Sequence, residues 1–418
     1  MTGTGNDAER SKRYFQFETT SYNFSVNLSS GLANAFALRV LNLDILDIGI
    51  LTSTRIFTYA LSQLPGVFFA SYIKRNRKLL WSIGGALNRI GLSMSILSIL
   101  LPYPYNFEYL LGLTTLTQFA GGIAGIAAGD LLGDLVSLEE AAGFWARINK
   151  LNYVAIASSM LTGTLVFLTI RNLLEAYTVV YLVSLAAAVF STAMLLSIRD
   201  PGHRNDGNGI APSLNNSRSR NSRVPSISDN ASKYLALRLL FSFSVNIPAP
   251  FWDYLVLNVL GGNEVVILFK NMAGLMVKFF TIDFWKKRLN LRGSRRTMSL
   301  GMATTSLVPV AYITVPNSWM TVLAEAYSGF AWSSLDLTGA LYTFYITPSE
   351  ERPVFISLLN LSSNLIASVA SFTGSVIAGL TGLVYAPFMI SSVLRVISSG
   401  VAYRFAPEVV NNNSNKLG

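Results

Sequence analysis

The sequence predicts an all-α membrane protein with twelve transmembrane helices, arranged as two six-helix pseudo-repeat bundles, and with both termini in the cytoplasm. Composition, the spacing of apolar segments and the distribution of basic residues predict this fold. Of the 418 residues, 51% are hydrophobic and 13% are charged, whereas an average soluble domain has about 25% charged residues. So few charges cannot cover the domain surfaces of a soluble chain of this length. The composition therefore argues against a soluble enzyme, a disordered chain and a coiled coil.

Residue usage also limits the chemistry of the chain. Cys is absent, which excludes disulfides, thiolate metal sites and a Cys nucleophile. The single His, His203, lies in a polar stretch, so neither a zinc site nor a Ser-His-Asp triad is expected in the apolar body. The Gly-rich run "GGIAGIAAGDLLGD" follows no strand and lacks the Lys-Ser/Thr of a phosphate loop. We therefore expect no metal, no cofactor and no enzymatic activity.

Twelve apolar stretches of about 20 residues follow the polar segment Met1 to Ser21, which lacks the apolar core of a signal peptide. A helix needs about 20 apolar residues to cross the hydrocarbon core of a bilayer. Gly, Ser and Thr recur within these stretches, and such small residues allow helices to pack closely in lipid. The predicted spans are 22–41, 48–73, 79–101, 109–135, 150–170, 176–198, 234–259, 264–285, 297–315, 319–346, 353–380 and 384–405.

The basic residues are sorted between alternate loops. If the N-terminus is cytoplasmic, the cytoplasmic loops and tails hold most of the 32 Lys and Arg residues, and the opposite loops hold Arg171 alone. The positive-inside rule predicts this asymmetry for twelve spans with both ends inside. The net charge of +10 is thus assigned to orientation in a lipid bilayer. No nucleic-acid partner is expected, and the cytoplasmic (plasma) membrane is the expected location.

A polar break divides the chain into two halves. Residues 199–233 are rich in Asn, Ser, Gly and Pro and predict a flexible cytoplasmic linker. Its Arg residues are interpreted as solvated orientation signals, and the alternative is that they hold acidic lipid head groups. The predicted domains are a cytoplasmic N-terminal tail 1–21, a six-helix bundle 22–198, a second bundle 234–405 and a C-terminal tail 406–418.

The two halves resemble each other in sequence. "FSVN" opens the first span of each half, and "EEAAGFWARIN" matches "EERPVFISLLN" after the fourth span. The corresponding pairs include Asn27/Asn246, Arg75/Arg292, Lys78/Arg295, Gly84/Gly301 and Gly163/Gly374. Because each half has an even number of predicted spans, the copies share one orientation about an axis along the membrane normal. Two such bundles are expected to enclose a cavity that rocking opens to each side in turn, which favours a transporter over a channel.

The chain resembles the major facilitator superfamily of secondary transporters over roughly 22–405. The resemblance lies in the topology, the long central loop, the repeat and the basic loop "PGVFFASYIKRNRKLL" between spans two and three. In that loop Gly66 and the basic cluster match the family pattern, while Ser71 or Tyr72 stands near the acidic position; the copy "DFWKKRLNLRGSRR" keeps an acid, Asp283. The signatures of drug–proton antiporters and sugar porters are absent, so no subfamily is assigned. The resemblance implies gating-loop candidates: Arg75, Lys78, Arg292 and Arg295.

Charges inside the predicted spans are the candidate site residues, because a charge at bilayer depth costs at least about 2.5–3.5 kcal/mol. By the resemblance, spans one, four, seven and ten line the cavity, with two, five, eight and eleven beside them. The candidates for binding a solute or an ion are Asp336, Glu325, Asp253, Lys270, Lys278, Arg55, Asn27 and Asn246. Arg39, Asp134, Arg89 and Arg395 are given no functional weight, and the last two are interpreted as structural.

Asp336 is the acid expected deepest in its span, where it is able to carry a proton. The alternative is an ion pair with Lys270 or Lys278 that locks the bundle. Asn27 and Asn246 either face the cavity or serve helix packing; the former is favoured by Pro248 and Pro250, which break the seventh span.

The sequence therefore predicts a secondary active transporter, a permease that moves a small solute by alternating access with protons as coupling ion. We expect a monomer. The alternative is a non-transporting membrane sensor on the same fold, against which the lack of an added signalling domain argues.

Overall fold

The computed structural model describes residues 3–65, 70–136, 138–200, 228–347 and 352–409. The regular structure of these residues is helical, without a strand. The chain forms two compact units: the first comprises Met1–Arg204 with Trp252–Phe269, and the second comprises Asn205–Phe251 with Lys270–Gly418. The short stretch Trp252–Phe269 thus packs with the first unit although it follows the predicted linker 199–233, most of which (201–227) lies outside the described residues.

The described residues of the first unit that precede the predicted linker form eight α-helices. They are α1 (Gly3–Ser30), α2 (Ala33–Arg39), α3 (Ile45–Leu61), α4 (Ala70–Arg75), α5 (Arg77–Ser93, extended by a 3₁₀ segment Met94–Leu100), α6 (Tyr105–Leu135), α7 (Leu138–Thr169) and α8 (Leu173–Ser197).

The remaining helices follow the linker. They are α9 (Asp229–Asn246), α10 (Phe251–Tyr254, followed by a π-helical turn Leu255–Val259), α11 (Glu264–Thr314), α12 (Thr321–Tyr345, preceded by a 3₁₀ turn Ser318–Met320), α13 (Arg352–Thr381) and α14 (Ala386–Phe405).

Eight helical segments of the described chain are long and apolar enough to cross a membrane. They are Arg77–Leu100, Tyr105–Leu135, Gly143–Thr169, Leu173–Ser197, Asp229–Val259, Glu264–Thr314, Val354–Thr381 and Ala386–Phe405. The protein is therefore an integral, multi-pass membrane protein.

Helix α11 covers two of the predicted spans. At 1.5 Å per residue its 51 residues extend about 76 Å, more than twice the ~30 Å hydrocarbon thickness. Gly293 interrupts it with φ 79° and ψ 172°, a conformation that only glycine adopts without strain. The two parts correspond to predicted spans 264–285 and 297–315. Predicted spans 22–41, 48–73 and 319–346 fall on α1 with α2, α3 and α12, which are absent from the eight, so the count of twelve stays a prediction.

Helix α1 begins far earlier than the first predicted span. It runs from Gly3 to Ser30 without a break, through the segment expected to be a tail. The side chains of Ser11, Phe15, Glu18 and Ser25 are all buried. Their spacings of four, three and seven residues place them on one face of the helix, so the polar N-terminal segment packs into the unit.

The sequence repeat corresponds to repeated packing within each unit. A Cβ on Gly84 would lie 2.6 Å from the carbonyl oxygen of Ala120, and one on Gly301 would lie 2.0 Å from Ser334 Oγ. In both units this glycine therefore lets the predicted third span approach the fourth. The pair Gly163/Gly374 also contacts the first predicted span of its half: a Cβ on Gly163 would lie 3.0 Å from Leu268 and 3.4 Å from Leu28, and one on Gly374 would lie 2.0 Å from the Ile247 carbonyl oxygen.

The seventh predicted span is broken at its two prolines. Helix α9 ends at Asn246, turns occupy Ile247 to Pro250, and α10 begins at Phe251. Proline lacks an amide N–H, so the break follows from the sequence. It also marks the boundary at which the chain passes from the second compact unit to the first.

Candidate functional site

Glu325 lies at the centre of a buried polar cluster in the second unit. The hydroxyl of Tyr312, which is fully buried, donates a hydrogen bond to Glu325 Oε2. Lys270, 4% exposed, places its Nζ 5.9 Å from the centre of the Tyr312 ring and donates to Asn271 Oδ1 at 3.3 Å. Two candidates of the sequence analysis, Lys270 and Glu325, thus share one tyrosine.

Arg395 completes this cluster, although the sequence gave it no functional weight. It is 1% exposed, donates through Nη1 to the carbonyl oxygen of Thr305 at 2.9 Å and interacts electrostatically with Glu325. Its Nε has no hydrogen-bond partner among the described residues. We call Lys270, Tyr312, Glu325 and Arg395 the Glu325 cluster. It holds two cations and one carboxylate, so protonation of Glu325 changes its net charge from one excess positive charge to two.

Close helix packing holds Glu325 in place. Helices α11 and α12 cross at Gly274 and Gly329, where a Cβ on Gly329 would lie 2.1 Å from the Gly274 carbonyl oxygen. A Cβ on Gly274 would lie 3.0 Å from Glu325 Cγ. The two glycines therefore allow the backbones to approach and seat the Glu325 side chain against α11.

Asp336 and Lys278 form an ion pair. Their side chains are 46% and 36% exposed, respectively. Asp336, which the sequence predicts to lie deepest in its span, is more exposed than Glu325 on the same helix. The ion pair is the alternative left open by the sequence, with Lys278 rather than Lys270 as the partner.

Arg55 is the polar centre of the first unit. Its Nη2 donates to Asn34 Oδ1 at 3.3 Å, and its guanidinium interacts electrostatically with Asp253 and Tyr181. The structure thus brings together two predicted candidates, Arg55 and Asp253. The Tyr181 hydroxyl is buried and has no hydrogen-bond partner among the described residues.

Glu264 is a buried acid that the sequence analysis did not weigh. It is 3% exposed, accepts a hydrogen bond of 3.0 Å from the Tyr177 hydroxyl and lies 3.8 Å from Arg39 Nε. Glu264 is the first residue of α11 and of the predicted span 264–285. A charge at the end of a span costs little free energy, so the sequence did not single this residue out. Its contacts attach the start of α11 to α2 and α8 within the first unit.

Asn27 and Asn246 behave identically. Each is half-buried, and each donates its side-chain amide to a carbonyl oxygen one turn earlier in its own helix, that of Asn23 and of Ser242, both at 2.8 Å. The repeat thus extends to the local hydrogen bonding of these side chains.

Of the two corresponding pairs of gating-loop candidates, Arg75/Arg292 is alike in the two units and Lys78/Arg295 is not. Arg75 and Arg292 are exposed, whereas Lys78 donates to the carbonyl oxygen of Leu195. Arg295 lies 3.8 Å from Glu408.

Arg77, which the sequence analysis assigned to an orienting loop, is fully buried. It binds Asp200 through Nη2 at 2.7 Å and Nε at 3.1 Å, Asp130 at 2.9 Å, and Asp134. This arginine therefore joins the start of α5 to the end of α6 and to Asp200, three residues beyond the end of α8.

Arg89 is a second buried arginine of the first unit, and its three side-chain nitrogens all have acceptors. Nη2 pairs with Glu18 at 2.8 Å, Nε donates to the Gly85 carbonyl at 2.9 Å, and Nη1 donates to Ser191 Oγ. Its guanidinium also lies 4.9 Å from the ring centre of Tyr22. Arg89 is therefore a fully paired packing residue, in line with its structural interpretation.

No group of three or more His, Asp or Glu side chains among the described residues is placed to hold a metal ion.

Comparisons with known proteins identify the fold. No family model and no curated protein matches the sequence. The structure is similar to the xylose transporter XylE from E. coli (TM-score 0.68, 12% identity, covering 95% of this chain and 96% of that chain). It is also similar to a POT family transporter in complex with 5-aminolevulinic acid (0.70, 12%, 96% and 97%) and to the nucleoside transporter NupG (0.63, 13%, 96% and 98%). The chain thus has the fold of major facilitator superfamily transporters, and these structural neighbours are transporters rather than enzymes.

Proposed function

We propose that the protein is a secondary active transporter, a permease that moves a small solute across the membrane by alternating access and uses protons as coupling ion. The transporter fold carries the first part of this proposal. In this proposal the chain forms two six-helix bundles, 22–198 and 234–405, with both termini in the cytoplasm, and works as a monomer in the plasma membrane without a cofactor or nucleic acid.

The Glu325 cluster supports proton coupling. A proton carrier must change its charge within the protein, and burial makes that charge energetically important. Glu325 meets this need because its half-buried carboxylate accepts a hydrogen bond from Tyr312 and interacts electrostatically with Arg395, without a contact ion pair between these two side chains among the described residues. Asp336, the candidate that the sequence favoured, instead contacts Lys278 directly. We therefore assign the coupling proton to Glu325.

We assign two further candidates, Arg55 and Asp253, to binding of the solute. Arg55 and Asp253 carry opposite charges in the first unit, with Asn34 and the buried Tyr181 hydroxyl beside Arg55. Together they offer a donor, an acceptor and an aromatic face. This set fits a small polar solute and leaves its net charge open.

Labelled-solute counterflow is the experiment that tests transport. A thermal-shift screen of the purified protein against solute classes first supplies a ligand, and proteoliposomes loaded with that ligand are then exposed to labelled ligand outside. The proposal expects uptake above that of protein-free liposomes, and a loss of uptake in Arg55→Gln. Ligand binding without counterflow would instead identify a non-transporting sensor and overturn the proposal.

A further inference from the structure

Six basic residues lie within eleven consecutive positions of α11, around the interruption at Gly293. They are Lys286, Lys287, Arg288, Arg292, Arg295 and Arg296, and we call them the basic segment. Lys286, Lys287, Arg292 and Arg296 are exposed. Helix continues on both sides of Gly293, so these charges are displayed on an ordered surface.

The first unit neutralises the corresponding charges internally. Arg77 is surrounded by the carboxylates of Asp130, Asp134 and Asp200, and Lys78 donates to a backbone carbonyl. With Lys74 and the exposed Arg75, four cations there stand against three acids, so the excess of positive charge is small.

The second unit lacks this internal compensation. In the repeat, Ser294 stands where the first unit has Arg77, and Glu408 accepts hydrogen bonds from the Ser294 amide and hydroxyl. Glu408 also pairs with Arg295 at 3.8 Å. Lys286, Lys287, Arg292 and Arg296 make no ion pair with an acid in the part of the chain that the structure describes. With Asp283 and Glu408 as the acids of this stretch, six cations outnumber two carboxylates.

Exposed apolar side chains alternate with these cations. Phe280, Phe284 and Leu291 are 72%, 43% and 68% exposed, and Arg288 lies 5.3 Å from the ring centre of Phe284. Lys286 and Lys287 follow Phe284 by no more than about 5 Å along the helix axis. That rise is comparable to the headgroup layer, which is about 5–8 Å thick on each side of a bilayer. Apolar side chains at this level enter the acyl region while Lys and Arg reach the phosphates.

We propose that the basic segment is a binding site for the phosphate groups of anionic phospholipids at the membrane surface. The unbalanced positive charge supplies the attraction, and the interleaved apolar side chains favour a lipid over a soluble polyanion. Each Lys or Arg near an anionic membrane surface contributes roughly a fivefold increase in binding. Two such residues that act independently contribute about 25-fold.

Native mass spectrometry of the purified full chain with added phosphatidylglycerol tests this site. The Lys286→Gln/Lys287→Gln variant should bind phosphatidylglycerol about 25-fold more weakly. Lys286→Arg/Lys287→Arg, which keeps the charge, should bind like the unmodified chain. The matched control is Arg147→Gln/Lys150→Gln, which removes two exposed cations of the first unit and should leave binding unchanged.

Three arms identify the ligand and the site. Phosphatidylcholine with the same acyl chains should bind far more weakly than phosphatidylglycerol, and inorganic phosphate at equal concentration should fail to displace the lipid. Unaltered phosphatidylglycerol binding in the Lys286/Lys287 Gln variant would overturn the proposal, as would an equal loss in the control variant. Displacement by inorganic phosphate would show a free-anion site instead. Because the substituted side chains are exposed, the variants should elute as the unmodified chain does in size-exclusion chromatography.

Discussion

Arg89 in the first compact unit and Arg395 in the second are both buried within predicted spans, and their hydrogen-bond and ion-pair partners differ greatly. Arg89 in the first unit has an acceptor for each of its three side-chain nitrogens, including a contact ion pair with Glu18. Arg395 in the second unit donates to one backbone carbonyl, leaves Nε unpaired within the described residues and has its acid, Glu325, bonded to Tyr312. A fully paired arginine fixes helices in place. The incompletely paired Arg395 keeps its own charge and interacts with Glu325, a carboxylate that is able to gain a proton.

The largest expected effect is the loss of Arg89. Arg89→Met leaves the buried Glu18 carboxylate without its cation, which should cost about 3–5 kcal/mol of unfolding free energy. Denaturant unfolding in detergent micelles measures this loss. The double variant Glu18→Leu/Arg89→Met removes both charges and should recover most of it. Equal stability of the single and double variants would contradict a tightly coupled pair.

Gly329→Ala should have the next largest effect, because it tests the crossing that seats Glu325. The added methyl would lie 2.1 Å from the Gly274 carbonyl oxygen, so helices α11 and α12 must separate at a cost of about 1–3 kcal/mol. Gly339→Ala is the matched control on the same helix, since nothing lies within 4 Å of its Cβ position. That control should be neutral or stabilise by up to about 1 kcal/mol through helix propensity. Similar stability changes in the two variants would show that the crossing is loose.

Arg395→Met should cost less than Arg89→Met, which sharpens the comparison directly. Arg395 makes no contact ion pair among the described residues, and replacing a buried charge by an apolar side chain of similar length is often neutral. We expect a loss of at most about 1 kcal/mol in the same unfolding assay. A loss as large as that of Arg89→Met would mean that both arginines serve packing.

The smallest effect is expected at Lys12, which hydrogen-bonds Glu9 at 2.9 Å and also Glu140. Burial lowers the pKa of Lys12, but the hydrogen bonds to Glu140 and Glu9 outweigh it and leave the pKa raised. The hydrogen bond from Lys12 lowers the pKa of Glu9. Because the partners Glu9 and Glu140 are 62% and 54% exposed, these ion pairs contribute less than about 1 kcal/mol.

The pH dependence of the Lys12→Gln effect follows from these signs. The Glu9 contribution is present above its usual pKa and is lost as the pH falls through the lowered value. The Lys12 contribution is present below its usual pKa and is lost as the pH rises through the raised value. Thermal unfolding of Lys12→Gln against the unmodified chain should therefore show a constant difference near neutral pH that shrinks in acid. A difference that grows in acid would contradict these signs.

Much of the fold follows from the sequence because membrane spans and repeats are local or periodic signals. The transporter fold is confirmed, and Gly84/Gly301 and Gly163/Gly374 do repeat their packing. The early start of α1 was not predicted, because the segment Met1 to Ser21 is polar on average and this obscures the regular spacing of its buried residues. The spacing of Ser11, Phe15 and Glu18 by four and three residues is the signal that would have revealed its buried face.

The site is less predictable because sequence locates charges without pairing them. It identified Glu325 and Lys270, yet preferred Asp336, whose ion pair with Lys278 depends on how two helices pack. Arg77 was counted as an orienting charge, since nothing local indicates that Asp130 and Asp134, more than 50 residues later, lie beside it. Glu264 was passed over because it stands at a span boundary.

The central claim is that Glu325, rather than Asp336, carries the coupling proton. Solute accumulation driven by a pH gradient in proteoliposomes tests it in two matched variants on one helix, Glu325→Gln and Asp336→Asn. The account predicts that Glu325→Gln abolishes gradient-driven accumulation but keeps solute counterflow, because counterflow needs no net proton movement. It predicts that Asp336→Asn retains both. Accumulation that persists in Glu325→Gln, or is lost only in Asp336→Asn, would contradict the assignment.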